Sequence, residues 1–490
     1  MSTLPTAPAA ERPPRPAAWG CAGRVAAVLL ALLAAAGLNG WIIVASPAGP
    51  LADLTHFKHW TRLVTVDGMH AAYGGDYPET YAIYPPVTLA TFRVAGAMYQ
   101  AWVDPSFDLD RALTSHALTI FIRLQALAFH LLVGLAVLVI ARQVVSFGAA
   151  YAAMIAYLFN PGAIFDVAQW GQPDPVFGLF VLLALAAAAW GARASWPAPL
   201  PGLFDDLLGR PRRIFSCSGR GDRSLSDAAA ALAGLCIVLA ACAKPQAWVF
   251  LPLVGGLVWR RGGMRRLLVA GAAGALGGLL VALPYLTHGT LRELIGLPRA
   301  ISSAMPVVTA NAHNLWWFFS DGAARWPLDQ EPLVGPLSYR VMAMALVGAF
   351  ALLALARALR EPSFGAVFTA GAFTGFGFFM AMTQIHENHM YVVFPLLAVA
   401  AAVDRRLWPL YALLAVTWCA NMLLHDFDLA EDVVAPLLPW PLEQAQWANS
   451  LMNVLALAAW TAWLLADTLR VWRAGPSLPD PAASVAPEAP

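Results

Sequence analysis

Apolar and polar positions along this chain fall in long blocks. The first uninterrupted apolar run covers Val25 to Ser46. Others lie near 117–141, 147–160, 174–191, 227–243, 246–259, 266–286, 337–357, 364–383, 390–403, 407–424 and 448–470. A straight helix across a bilayer needs about 20 apolar residues, so the longer runs read as spans and the shorter ones as tilted or broken spans. The first run exceeds the apolar core of a signal peptide, about 7–15 residues, and is read as a retained span. The segment from Val87 to Val103 is also apolar, but it carries Arg93 at its centre. A central arginine costs roughly 2.5–3.5 kcal/mol on insertion, which favours an amphipathic or re-entrant helix on the outer surface.

The loops carry a matching charge pattern. Arg193, Arg210, Arg212, Arg213, Arg220 and Arg223 share one loop; Arg260, Arg261, Arg265 and Arg266 share the next; Arg357 with Arg360, Arg405 with Arg406, and Arg470 with Arg473 mark others. Arg12, Arg15 and Arg24 precede the first span. Placing these on the cytoplasmic side gives an all-α polytopic bundle of about twelve spans with both termini cytoplasmic. Residues 1–23, the loop 192–226 and the tail 474–490 are Pro-rich and are expected to be disordered. Residues 24–473 form the membrane domain, with outer loops over 47–116 and 287–336.

Composition supports this class. The 490 residues are 59% hydrophobic and 12% charged, with a mean hydropathy of +0.63, whereas soluble domains carry about 25% charged residues. The net charge of +1 and the lack of a basic domain give no footprint for nucleic acid. Cys21, Cys217, Cys236, Cys242 and Cys419 show neither a disulfide framework nor metal-ligand spacing.

With this topology six polar segments reach the outer face: Asp53–Pro86, 160–174, 243–246, 309–319, 384–390 and 425–432. Convergence on one side points to a single cavity with an outer mouth. Leu51–Pro86 is the richest of them, with Asp53, His56, Lys58, His59, Asp67, His70, Asp76 and Glu79. Titratable clusters beside a bilayer are costly and usually functional. Asp53 can take a proton from an attacking hydroxyl, or cap the helix that follows it. Asp174 before Pro175 also suits an N-cap. Lys244 and Arg123 can reach a lipid phosphate or merely snorkel. His386, Glu387 and His389 fall short of a zinc helix motif, because position 390 is Met390, and no metal or other cofactor is expected. Trp316 and Trp317 can mark the interface or wall a sugar ring.

Five blocks, in order, resemble the GT-C superfamily of glycosyltransferases, and in particular bacterial proteins similar to GPI mannosyltransferase II. They are DLTHFKHW followed by YPP; FNPGAIFDVAQWGQPD; KPQAWVFLPL; TANAHNLWWFF; and HENHMYVVFP. The resemblance implies a GT-C-like bundle with surface helices in its first outer loop, and transfer of a sugar, mannose in the nearest group, from a polyprenyl-phosphate carrier. The acceptor is a hydroxyl of a glycan, glycolipid or protein, and the transfer is an inverting single displacement at the extracytoplasmic face of a bacterial plasma membrane. Asp53 matches the general base. Lys244, Gln246, His386, Glu387, His389 and Arg123 fall to the donor phosphate. Tyr84, Trp170, Gln172, Asp174, Asn314, Trp316 and Trp317 fall to sugar and acceptor. The chain departs from the pattern at Ile83, where an acidic residue is common, and at Asn388, where Arg is common. The absence of a βαβ unit with a Gly-rich turn independently disfavours a nucleotide-sugar donor. A transporter or lipid-linked sugar flippase is the main alternative, and a non-catalytic assembly or sensing protein a third; both would lack chemistry at the outer cavity.

Overall fold

The structure is a computed structural model, and it describes residues 20–46, 51–74, 82–190, 226–320, 327–425 and 429–473. The expectations for 1–19, 192–225 and the tail 474–490, together with Asp76 and Glu79, lie outside these residues. Helices carry most of the described chain. They are α1 (Cys21–Ala45), α2 (Leu51–Val66), α3 (Pro86–Trp102), α4 (Leu109–Thr114), α5 (His116–Arg142), α6 (Phe147–Leu158), α7 (Pro161–Ile164) and α8 (Asp174–Ala189) in the first part. There follow α9 (Asp227–Ala241), α10 (Leu251–Thr287), α11 (Leu291–Ala304), α12 (Tyr339–Arg360), α13 (Phe364–Ala381), α14 (Val393–Val403), α15 (Trp408–Leu423) and α16 (Leu442–Arg473). A small antiparallel hairpin, Pro332–Val334 with Leu337–Ser338, is a minor departure from an all-α chain.

Serines start many of these helices. Ser115, Ser146, Ser226, Ser338 and Ser363 each accept a hydrogen bond from the backbone amide three residues on, opening α5, α6, α9, α12 and α13. Apolar runs supply the rest, and the bundle is an integral membrane protein on the strength of them. Among the described residues six helices are long and apolar enough to cross a bilayer, or seven if Phe147–Leu158 and Pro161–Trp170, bent by 49°, form one broken span. This number does not confirm the expected total of about twelve spans, which included short and broken ones. Asp174–Ala189, Asp227–Ala241 and Glu387–Val403 are apolar but short. The runs 246–259 and 266–286, expected as separate spans, join in α10, whose helix breaks at Gly263 (φ 67°) among the arginines.

Helix α13 sits at the centre, with 83% of its apolar window buried, against 17% for α12 at the periphery. Small residues let the neighbours close in. A Cβ on Gly234 of α9 would lie 1.9 Å from the Ala270 carbonyl oxygen of α10, so only glycine admits this approach.

The segment after α1 builds a second apolar cluster. Leu54, Phe57, Trp60 and Val64 of α2 pack with Leu89, Phe92 and Tyr99 of α3, and Tyr285 and Leu297 close the cluster from later in the chain. Helix α3 is amphipathic as expected: its apolar side is buried and Arg93 is exposed. Two bonds fix its start: the Val87 amide donates to the Cys242 carbonyl at 2.8 Å, and the Thr88 hydroxyl donates to the Ala243 carbonyl at 2.7 Å. They bring Tyr84 beside Lys244.

Candidate functional site

Asp53 lies in the first turn of α2, inside the helix, so it is not the N-cap that its sequence context allowed. Its Oδ2 accepts from Trp170 Nε1 at 3.1 Å and from Gln172 Nε2 at 2.8 Å. The Tyr84 hydroxyl donates to Gln172 Oε1 at 2.9 Å, which fixes the amide with its Nε2 toward Asp53.

The backbone reason is an unusual turn. After α7 the chain widens into a π-helical segment, Phe165–Trp170, that ends at Gly171 with φ +82°. Single π turns collect at functional sites, where they re-aim side chains. Here the turn carries Trp170 and Gln172 to the same carboxylate oxygen. Arg123, fully buried on α5, holds the turn in place. Its guanidinium donates to the Ser46 carbonyl just past α1 and to the Gln169 carbonyl of the π segment. A Cβ on Gly171 would sit 2.9 Å from Arg123 Cγ. Arg123 is thus a clamp between two segments, which corrects its assignment to the donor phosphate.

Lys244 is not a free cation. Its Nζ donates to both oxygens of Asp174, at 2.7 and 2.9 Å, and Asn388 Nδ2 donates to Asp174 Oδ2 at 2.9 Å. The pair is buried, with Lys244 6% and Asp174 0% exposed at the side chain. The ammonium also lies over the rings of Tyr84 and Phe177, at 5.9 and 5.8 Å from their centroids. Asp174 spends its oxygens on this pair, which corrects both the N-cap and the sugar-facing readings. Asn388, taken from the sequence as a departure at an arginine position, is a third member of the network. Gln246, two residues after Lys244, is buried, and among the described residues its amide has no partner.

His386, Glu387 and His389 open the 3-10 turn Glu387–Met390. The His386 side chain stays 38% exposed, whereas that of Glu387 is 6% exposed. His389 Nδ1 accepts from the His386 amide at 3.4 Å, so His389 helps to shape the turn. The backbone of 384–386 pairs with 307–311: the Ala310 amide donates to the Ile385 carbonyl at 2.9 Å.

The contacts run from Asp53 through Gln172, Tyr84, Lys244 and Asp174 to Asn388, beside Glu387. Six of the fourteen candidate residues, Asp53, Trp170, Gln172, Tyr84, Lys244 and Asp174, therefore form one connected network. Asn314, Trp316 and Trp317 stand apart from it. The Asn314 side chain donates to the Phe379 carbonyl at 3.2 Å and accepts from the Trp316 amide at 3.0 Å. Trp316 Nε1 donates to the Ala381 carbonyl at 2.7 Å, and both tryptophans are buried. They are neither an interfacial belt nor a sugar wall, because their faces are spent on packing. Sequence reading also missed the pair beside them, buried His313 and partly buried His425, whose Nε2 atoms lie 2.9 Å apart.

Electrostatics sets the protonation. Burial raises the Asp53 carboxyl above the usual carboxylate range, while His386, the two side-chain donors and Lys244 pull it back down. Burial pushes Glu387 up to about 8, and Asp53 adds to the rise. At neutral pH Glu387 is therefore a neutral acid able to donate a hydrogen bond. The arrangement offers one carboxylate with a spare oxygen, a neutral acid and a partly exposed imidazole. Among the described residues no cluster of His, Cys, Asp and Glu is arranged to hold a metal ion.

No protein-family model and no curated protein sequence matches the chain. Among solved structures it is similar to ArnT from Cupriavidus metallidurans in the apo state, at 16% identity and a TM-score of 0.46, covering 91% of this chain and 78% of that one. The same protein bound to undecaprenyl phosphate gives 16% and 0.45, covering 91% and 77%. Archaeal oligosaccharyltransferase AglB from Archaeoglobus fulgidus, in complex with an inhibitory peptide and a dolichol-phosphate, gives 12% and 0.40, covering 91% of this chain. The chain spans 56% of the length of that oligosaccharyltransferase.

Proposed function

We propose that this protein is a GT-C-type glycosyltransferase that moves a sugar, mannose in the first instance, from a polyprenyl-phosphate carrier to an acceptor hydroxyl. The observation that carries the reading is the junction at Asp53. The carboxylate of the first polar segment receives two donors from the second block, and that block is tied through Tyr84 to Lys244 of the third.

The reaction follows from the groups. Asp53 takes the proton of the acceptor hydroxyl as its oxygen attacks the anomeric carbon. The bond between that carbon and the phosphate oxygen breaks on the opposite face, and its electron pair leaves on the polyprenyl phosphate, so the configuration inverts. His386 and neutral Glu387 donate to the phosphate as its charge grows. The Lys244–Asp174 pair keeps its ammonium end toward Tyr84 and shapes the floor. Asp53 then returns its proton to solvent. A lipid-borne donor also fits a chain made mostly of apolar helices, because it arrives within the bilayer already activated. In this reading the site faces the extracytoplasmic side of a bacterial plasma membrane, and 24–473 is the catalytic unit with 47–116 as its first outer loop. Reconstitution with radiolabelled polyprenyl-phosphate mannose and glucose, followed by extraction of labelled products, tests it. Transfer from one of the two supports the reading, and its absence with both, across glycan, glycolipid and peptide acceptors, contradicts it.

A further inference from the structure

The oxygens of Asp53 are unequal. Oδ2 accepts from both Trp170 and Gln172, whereas Oδ1 accepts nothing among the described residues. A carboxylate oxygen already holding two N–H donors has spent its in-plane lone pairs and is the poorer base. We infer that Oδ1 alone takes the acceptor proton, and that Trp170, Gln172 and Tyr84 are positioning residues for Asp53 rather than sugar contacts. This rests on the reading of Asp53 as a general base.

Each member has a distinct part. Trp170 donates from a ring nitrogen that cannot accept, so it marks Oδ2 permanently. Gln172 could present either end of its amide. The Tyr84 hydroxyl settles this by donating to Oε1, which leaves Nε2 for Asp53. Tyr84 is in turn held by packing: its ring lies 5.7 Å from Phe57 and 5.4 Å from Trp60, both one or two turns along the helix that bears Asp53. The same helix therefore carries the base and, through Tyr84, the means of orienting its partner. The other ionisable groups acting on Asp53 are His386, Lys244 and Glu387.

Donors to a carboxylate favour its charged form, so removing one raises the pH at which Asp53 ionises. A hydrogen bond to a charged group supports a shift of about one pH unit for Gln172→Leu or Trp170→Phe. Tyr84→Phe should move it by about half that, since the amide then reorients only part of the time. Two readouts check this. In the first, the acid limb of kcat/KM moves to higher pH in all three variants, kcat falls about tenfold, and KM for the acceptor stays within about twofold. In the second, which needs no reaction, difference infrared spectra titrate the carboxyl C=O stretch of Asp53, identified by its loss in Asp53→Asn. The midpoint moves up in the same order.

An unmoved infrared midpoint in Gln172→Leu and Trp170→Phe overturns the inference. A raised acceptor KM with unchanged kcat and acid limb does so as well, because it makes these residues sugar contacts. If Asp53→Asn turns over normally while the infrared midpoints still shift, the general-base reading fails and the positioning geometry stands.

Discussion

At the scale of single residues, the two raised carboxyls make the site's pH behaviour predictable. Asp53 must be ionised to accept a proton, so activity rises as pH climbs through its raised value. Glu387 must keep its proton to donate, so activity falls as pH climbs through about 8. The profile of kcat/KM is expected to be bell-shaped. Glu387→Gln should abolish the alkaline limb and keep the acid one, because the amide still donates and no longer ionises. A Glu387→Gln enzyme that still loses activity near pH 8 would assign that limb elsewhere. The Lys244–Asp174 pair gives a second prediction at this scale. Removing one partner of a buried ion pair strands the other charge, at a cost of about 3–5 kcal/mol. Lys244→Met or Asp174→Asn alone should destabilise the protein by that order, whereas Lys244→Met with Asp174→Leu should recover most of the loss. Thermal unfolding in detergent reads this directly. Strict additivity of the two single effects would mean that the ion pair is not the coupling.

At the scale of elements, the π turn over Phe165–Trp170 and its closing glycine decide whether donors reach Asp53. Gly171 has φ +82°, and a methyl group there would press on Arg123 Cγ. Left-handed backbone at a non-glycine residue costs of order 1–3 kcal/mol. Gly171→Ala should therefore lower both the unfolding temperature and kcat, since it strains the turn and displaces its clamp. A Gly171→Ala protein with wild-type kcat would detach the turn from the site. Much of this level was legible in the sequence. The amphipathic α3 around Arg93 follows from residue type and spacing, and several of the polar segments expected to converge do meet around Asp53 and Lys244. What failed had long-range causes. Arg123 looked like a phosphate ligand because its partners, the carbonyls of Ser46 and Gln169, lie far away in sequence. Trp316 and Trp317 looked exposed because periodicity does not say which neighbours cover a short turn. Lys244 looked free because Asp174 is 70 positions distant.

At the scale of the whole molecule, the bundle is less regular than its hydropathy suggests. Several apolar helices are too short for a straight crossing, and α10 is broken where the sequence put a loop. In a bilayer, helices that stop short of a full crossing need their ends covered by protein or lining a water-filled cavity, not facing lipid. The second apolar cluster, built from α2 and α3 and closed by Tyr285 and Leu297, holds the segment bearing Asp53 against the rest. Asp53 is thus carried by one packed unit and its partners Trp170 and Gln172 by another, with Tyr84 as a joint.

The most direct measurement compares wild-type protein with Asp53→Asn, both purified into liposomes with radiolabelled polyprenyl-phosphate sugar and acceptor. Loss of a positioned base should cut transfer by about 10²–10⁴-fold, with the variant still folded and still binding donor. Transfer at the wild-type rate by Asp53→Asn would contradict the account.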